Sequence, residues 1–331
     1  MLLDRHGRIA RYLRVSVTDR CNFHCSYCRS ADKERPLSHE RILRYEEILR
    51  LVDIAVRLGI RKVRVTGGEP FMRKDCDAFL VMLRKRFPAL QLAVTSNGSL
   101  LEPHIPLLRA LGVSSVNLSL DAFDREVFAR ITGRDEAPQV LAALDGLLRA
   151  GLRVKLNAVA LRGVTEGQLD DFIHAAMTMP LDVRFIELMP LGGQIDAALL
   201  WPVEEVRDAV ASRVRLLETS DAGRNAIPGP ARMFALKNGR GRIGFIAATG
   251  DHACGRCNRL RLTSDGALRT CLFSGREYRL AGLLRHTPGL SDERIARVLR
   301  LACLDRPLGE TLLQGGTLPP RGKRPMNALG G

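Results

Sequence analysis

The chain predicts an α/β fold, an incomplete (β/α)6, TIM-like barrel followed by a C-terminal segment of antiparallel hairpins. Three observations predict it. Short apolar segments alternate with helix-patterned ones from about residue 10 to 190, small and polar residues collect just after those apolar segments, and beyond residue 190 the pattern changes to turn-linked strand pairs. Strand–helix alternation with crossovers of this length gives a parallel sheet. Six such units close most of a barrel. A doubly wound sheet is the other arrangement open to them, and both place functional groups at the carboxyl ends of the strands.

The strands are expected over Tyr12–Val17, Val63–Thr66, Leu92–Thr95, Val116–Leu120, Val154–Val159 and Val183–Glu187. Helical spacing lies between them in Tyr45–Leu58, Asp75–Phe87, Pro138–Ala150 and Glu166–Met179. After the first four strands come Thr18-Asp19-Arg20, Thr66-Gly67-Gly68-Glu69-Pro70, Thr95-Ser96-Asn97-Gly98 and Ser119-Leu120-Asp121. Asn157 lies in the fifth strand, and Glu187-Leu188-Met189-Pro190 follows the sixth. Six consecutive strand ends of this kind read as one site. Leu191-Gly192-Gly193 reads as a linker dividing residues 1–190 from 191–331. Past it, Glu204–Arg213 is helical, and Ala231–Lys237 and Arg242–Ala248 flank an Asn238-Gly239 turn, a strong hairpin signal. Arg259–Thr263 and Ala267–Leu272 form a second hairpin around Ser264-Asp265-Gly266, and the tail, Pro319–Arg324 and Met326–Gly331, is expected to be extended.

The net charge is +15, but the basic residues are spread along the 331-residue chain, with one Trp and four Tyr. Nucleic-acid surfaces need aromatic platforms or a recognisable helix module, so no nucleic-acid partner is expected; the arginine excess suits an anionic small molecule or reflects compositional bias. No apolar run approaches the roughly 20 residues of a membrane span. The N-terminus, Met1-Leu2-Leu3-Asp4-Arg5, has no apolar stretch suited to a signal peptide, so a cytoplasmic chain with no membrane partner is expected.

Eight cysteines in such a chain point to metal binding or catalysis before disulfides. Six form two triads, Cys21-x3-Cys25-x2-Cys28 and Cys254-x2-Cys257-x13-Cys271; Cys76 and Cys303 stand alone and are expected to be structural. The second hairpin folds Cys271 back towards Cys254 and Cys257. A thiolate metal centre normally takes four ligands, so each triad leaves one coordination position open. Three thiolates on a 4Fe–4S cubane leave one iron free to chelate the amino and carboxylate groups of an amino-acid moiety, which S-adenosylmethionine carries. The first spacing, just after a strand, matches the radical S-adenosylmethionine superfamily. Zinc with His24 or His39 as fourth ligand, or plain buried thiols, are the alternatives for the same residues. Gly67-Gly68 lets the backbone approach a ligand closely, and Glu69 offers a carboxylate to an ammonium group.

Cys21–Cys28, Thr66–Pro70, Cys254-x2-Cys257-Asn258-Arg259-Leu260-Arg261, Cys271-Leu272-Phe273 and the terminal Gly330-Gly331 together resemble the GTP 3′,8-cyclase family over nearly the whole chain. That resemblance implies conversion of GTP to (8S)-3′,8-cyclo-7,8-dihydroguanosine 5′-triphosphate, the first step of molybdenum cofactor biosynthesis. It implies a partial barrel with a 4Fe–4S cluster on Cys21, Cys25 and Cys28. It also implies a second 4Fe–4S cluster on Cys254, Cys257 and Cys271, whose open iron takes guanine. S-Adenosylmethionine contacts match Tyr27, Gly68, Ser119 and Met189. GTP contacts match Arg14, Arg64, Thr95, Lys155, Arg259, Leu260 and Arg261, with the strand cations suited to a triphosphate. Gly330, Gly331, Arg259 and Arg261 match catalytic positions. A one-electron donor, a downstream cyclic pyranopterin monophosphate synthase and a homodimer are implied by the family alone. The chain departs from the family at Arg29-Ser30, where Met-Pro is common, and at Ala253, where an aromatic is usual. The alternatives are another radical S-adenosylmethionine enzyme with an auxiliary cluster, acting on a peptide, and a zinc-stabilised nucleic-acid-binding protein. The two open positions are expected to face each other across one cavity.

Overall fold

The structure, a computed structural model, describes residues 1–28, 36–189, 196–219, 227, 229–248, 254–286 and 290–308. The first half alternates strand and helix: β1 (Tyr12–Ser16), α1 (Tyr45–Arg57), β2 (Lys62–Thr66), α2 (Cys76–Arg86), β3 (Gln91–Ser96), α3 (Ile105–Ala110) and β4 (Ser115–Ser119). It continues through α4 (Arg125–Thr132), α5 (Ala137–Arg149), β5 (Val154–Ala160), α6 (Leu169–Thr178) and β6 (Asp182–Glu187). All six predicted strands form, each within two residues of its expected ends. The short helices α3 and α4 were not foreseen. Pro106 near the start of α3, the Asp124 carboxylate accepting from Val127 N at 2.8 Å, and Gly133 in the left-handed region at φ 68° mark their ends locally.

The C-terminal region supplies α7 (Val203–Ala211), β7 (Leu216–Glu218), β8 (Arg232–Leu236), β9 (Arg242–Ile246), β10 (Arg259–Leu262), β11 (Ala267–Arg269), β12 (Tyr278–Arg279), α8 (Ala281–Arg285) and α9 (Leu290–Leu304). Both predicted hairpins are antiparallel, but β11 ends at Arg269, so Cys271 lies just beyond the strand expected to carry it. The hairpins do not pack as a separate layer. A single sheet runs β12-β11-β10-β1-β2-β3-β4-β5-β6-β9-β8-β7. In it β10 pairs parallel to β1 and β9 parallel to β6, extending the parallel section at both margins. The helices α8 and α9 were also unforeseen. They pack on α1, where Arg50 donates to Asp292 Oδ1 at 2.7 Å and to the Leu284 carbonyl at 2.9 Å. Leu191-Gly192-Gly193 and the extended tail lie outside the described residues.

Period-two alternation sorts the two faces of the parallel strands. Leu13 and Val15, Val63 and Val65, Leu156, Phe185 and Leu260 are buried in the core packed beneath the helices. The residues between them point into the barrel, and they are polar and basic: Tyr12 and Arg14, Lys62 and Arg64, Lys155 and Asn157, Arg184, Arg259 and Arg261. Leu260 is fully buried on the apolar side. Leu260→Ala is therefore expected to lower the unfolding free energy by about 2–5 kcal/mol. Arg259→Ala, on the inner face, should cost far less; urea melts of the two variants read the difference.

Candidate active site

The first cysteine loop follows β1 and is stitched to its neighbours through the backbone. Gly68 N donates to Thr18 O and Glu69 N to Arg20 O, both at 2.8 Å, while His24 N donates to Thr132 O at 2.8 Å and Ser26 N to Ile131 O at 3.0 Å. Glycine is obligatory at position 68, because a Cβ there would stand 2.2 Å from the Arg20 carbonyl oxygen and 2.9 Å from Cys21 Cβ. The close approach anticipated for the double glycine is therefore made to the cysteine loop itself. Glu69 differs from expectation too. It is 0 % exposed, and its carboxylate accepts from Asn97 N at 2.7 Å and from the Ser96 hydroxyl at 3.0 Å, so it braces β2 against β3 instead of facing a ligand.

Cys21, Cys25 and Cys28 line a cavity of about 200 Å³ at the carboxyl ends of the strands, together with Gly67, Gly68, Thr95, Ser119, Asp121, Asn157 and Met189. All four positions matched to S-adenosylmethionine, Tyr27, Gly68, Ser119 and Met189, are on its wall. Tyr27 donates its hydroxyl to Asp121 Oδ2 at 2.5 Å, and Asp121 Oδ1 accepts from Val159 N at 2.8 Å. Burial outweighs these bonds and lifts the Asp121 carboxyl to about 6. Asn97 Nδ2 lies 3.8 Å from Cys21 Sγ, a donor aimed at a thiolate. No three His, Cys, Asp or Glu side chains among the described residues converge as they would on a single metal ion. The thiols are instead spread over one cavity wall.

A second cavity of about 60 Å³ holds Cys254, Cys257 and Cys271 with Arg8, Arg259, Arg261 and Arg306. Its walls come from both margins of the parallel section, with Ile246 ending β9, Ala247 and Ala248 following it, and Arg259 opening β10. Although burial opposes it, the Arg259, Arg261 and Arg306 charges bring the Cys257 thiol down to about 7. The two triads thus line two adjoining cavities that share Met189. Cys76 and Cys303 are buried away from both.

Beneath them, at the amino ends of the strands, a third cavity of about 230 Å³ is lined by Lys62, Arg153, Lys155, Asp182, Arg184 and Arg242. Asp182 is taken by Arg242 at 2.8 Å and Arg153 at 3.1 Å. Arg184 Nη2 donates to Asn157 Oδ1 at 2.7 Å, while its Nε and Asn117 Oδ1 are buried with no partner among the described residues. Burial, with Arg184 and Lys62 adding to it, depresses Lys155 to about 6; Lys62 falls to about 8 mainly by burial. Burial alone would raise the Tyr12 phenol, but Arg64, Arg14 and Lys62 reverse that and bring it to about 7. Lys62 and Arg184 were missed in the sequence, although Lys62 sits two residues before Arg64 and so shares its face of β2.

Arg64 is 2 % exposed and committed to the protein, donating to Tyr12 Oη at 2.6 Å, Val94 O at 2.5 Å and Ser115 Oγ at 3.1 Å. Leu260 lines none of the three cavities. Gly330, Gly331, Arg29-Ser30 and Ala253 lie outside the described residues.

The comparisons with known proteins fit this geometry. Residues 15–176 match the radical SAM superfamily, and residues 181–311 match the family described as Molybdenum Cofactor Synthesis C. A GTP 3′,8-cyclase of Pelotomaculum thermopropionicum is 39% identical over 99% of both chains. This chain belongs to the GTP 3′,8-cyclase family. Another GTP 3′,8-cyclase, from Rhodococcus opacus, is 38% identical over 100% of this chain and 93% of its own. Among solved structures, Streptococcus suis SuiB bound to S-adenosylmethionine matches with a TM-score of 0.60 at 13% identity, over 89% of this chain and 68% of that one; this likeness concerns the fold. Radical SAM membership of the GTP 3′,8-cyclase family brings S-adenosylmethionine and an iron–sulfur cluster. The first triad, spread over a wall whose glycine backbone touches the cysteine loop, fits that pair. No helix among the described residues is long and apolar enough to cross a membrane.

Enclosed cations with too few anions predict proton uptake when a polyanion binds. Inorganic tripolyphosphate added at pH 7.5 should raise the pKa values of Lys155, Lys62 and Tyr12 together, so the protein takes up about one to two protons. Calorimetry in buffers of different ionisation enthalpy measures the uptake, and Lys155→Met should lower it by up to about half.

Proposed function

We propose that the chain is a radical SAM GTP 3′,8-cyclase, a lyase of the first step of molybdenum cofactor biosynthesis. It turns GTP into (8S)-3′,8-cyclo-7,8-dihydroguanosine 5′-triphosphate. The observation that carries this reading is the full-length relationship to GTP 3′,8-cyclases, joined to two cysteine-lined cavities that meet at Met189 above a cationic lumen.

Cys21, Cys25 and Cys28 hold the first 4Fe–4S cluster, and Tyr27, Gly68, Ser119 and Met189 hold S-adenosylmethionine beside it. When bound, this pair supplies a 5′-deoxyadenosyl radical able to take a hydrogen atom from the ribose 3′ carbon of GTP, which then joins C8 of guanine. The protein's contribution is position. Cys254, Cys257 and Cys271 carry a second 4Fe–4S cluster for the guanine end, with Arg259 and Arg261 lining the same cavity and Leu260 between them in β10. Arg14 and Lys155, on the inner face, meet the triphosphate; Lys62 and Arg184, beside Lys155, share that task. Arg64, spent on protein acceptors, orients Thr95 and Tyr12 for the same ligand. Fixing ribose and base in register removes translational and rotational freedom, worth several kcal/mol of a barrier. Gly330 and Gly331 take a catalytic part. An external one-electron donor completes the turnover, a cyclic pyranopterin monophosphate synthase takes the product, and the working unit is a cytoplasmic homodimer.

Anaerobic reconstitution with iron and sulfide should give about eight irons per chain. Deoxyadenosine should form only when GTP is present; two zincs and no iron would overturn the reading. Deleting Gly330 and Gly331 should abolish turnover while the iron content stays at the full-length value, and full activity in the truncated chain would remove the tail from the site.

A further inference from the structure

The second cavity contains a buried charge network that none of the roles above uses. Asp4 is 3 % exposed, and its carboxylate accepts from Arg8 Nε at 2.7 Å and from Arg306 Nε at 2.8 Å and Nη2 at 2.7 Å. Arg8 uses its remaining nitrogens on main-chain carbonyls, Nη1 to Cys254 at 2.8 Å and Nη2 to Arg306 and Pro307 at 3.1 Å each. Residues from the two ends of the described chain are therefore fastened to the backbone of a triad cysteine.

Arg306 is not used up in this way. Its side chain is 1 % exposed and lines the cavity of Cys254, Cys257 and Cys271. Its Nη1 is buried with no hydrogen-bond partner among the described residues. A charged donor hidden from water without an acceptor is costly, and most such groups in proteins await a partner. Two guanidinium groups share one carboxylate here, so the network keeps a net positive charge. Such a donor suits an anionic, sulfur-rich acceptor.

We infer that Arg306 Nη1 donates a charge-assisted hydrogen bond to the sulfur shell of the iron–sulfur group on the second triad, with Asp4 and Arg8 as the positioning residues that hold it. This inference rests on the proposal that the second triad carries a cluster. Reduction adds negative charge to a cluster, and a fixed positive donor favours the reduced state, raising its potential.

The test reads the second cluster alone, in a full-length chain carrying Cys21→Ala, Cys25→Ala and Cys28→Ala. Such a chain should hold about four irons. Adding Arg306→Gln leaves Asp4 paired with Arg8, keeps the iron, and should lower the ratio of reduced to oxidised cluster at fixed poise about tenfold, 59 mV for a one-electron couple. Arg306→Lys, which keeps the charge, should restore most of the shift. An unchanged potential with full iron in Arg306→Gln overturns the inference and leaves the cluster assignment intact. A parent chain without iron at the second triad overturns the assignment and the inference with it. Should Arg306→Gln fail to fold, electron–nuclear double resonance on reduced protein labelled with ¹⁵N-arginine gives a second readout. Arg8, Arg259 and Arg261 line the same cavity, so the readout is the difference: one guanidinium coupling of the parent should be lost in Arg306→Lys, and an unchanged set of couplings overturns the inference.

Discussion

Enclosed like charge is the constraint around which this molecule is built. Parallel strands buried on both faces must put something inside the barrel, and here the outer face is Val, Leu and Phe while the inner face is Tyr12, Arg14, Lys62, Arg64, Lys155, Arg184, Arg259 and Arg261. The acid at the base of the lumen, Asp182, is occupied by Arg153 and Arg242. Cations crowded together in a low-dielectric interior repel one another and lose hydration. The structure responds where it can, with Lys155 pressed towards neutrality and the Tyr12 phenol acidified between Arg64 and Arg14. A polyanionic ligand supplies the missing counter-charge, so substrate binding and relief of internal strain are one event in the proposed cycle.

The same economy governs the first cysteine loop. Its position is set by main-chain bonds to the end of β2, and these exist because Gly67 and Gly68 carry no Cβ to hold the loop away. Glu69, buried and bonded to Ser96 and Asn97, locks the end of β2 to the end of β3. Asn97, placed by that lock, presents its amide to Cys21. A motif that reads locally as a ligand cradle thus works first as a strut between neighbouring strand ends. The cavity beside it inherits its shape from that strut.

What was legible in the sequence follows from the range of the interactions responsible. The six strands and the long helices announce themselves by local periodicity, and the triads by spacing. Helices α3 and α4 are too short for their period to show, and α9 is held by Arg50 of α1, which lies 242 residues away from its partner Asp292. Neither the parallel pairing of β10 with β1 nor that of β9 with β6 leaves a local trace, so the C-terminal hairpins read as a separate region. Lys62 was recoverable from Arg64 by period two. The Asp4–Arg8–Arg306 network was not, because its partners stand some 300 residues apart, at 298 and 302 positions.

The incompleteness of the barrel has its own purpose in this arrangement. A closed barrel would hydrogen-bond β9 to β10 and leave no lateral opening. Here each of those strands turns outward into an antiparallel hairpin, β9 with β8 and β10 with β11, so both margins of the parallel section are capped without meeting. Cys254, Cys257 and Cys271 line the space between, with Ile246 and Ala247 on one side and Arg259 and Arg261 on the other. Because β10 is in register with β1, pairing Arg259 with Tyr12 and Arg261 with Arg14, the second triad is fixed relative to the cationic lumen by the sheet itself. The gap that keeps the barrel open is therefore also the seat of the second triad.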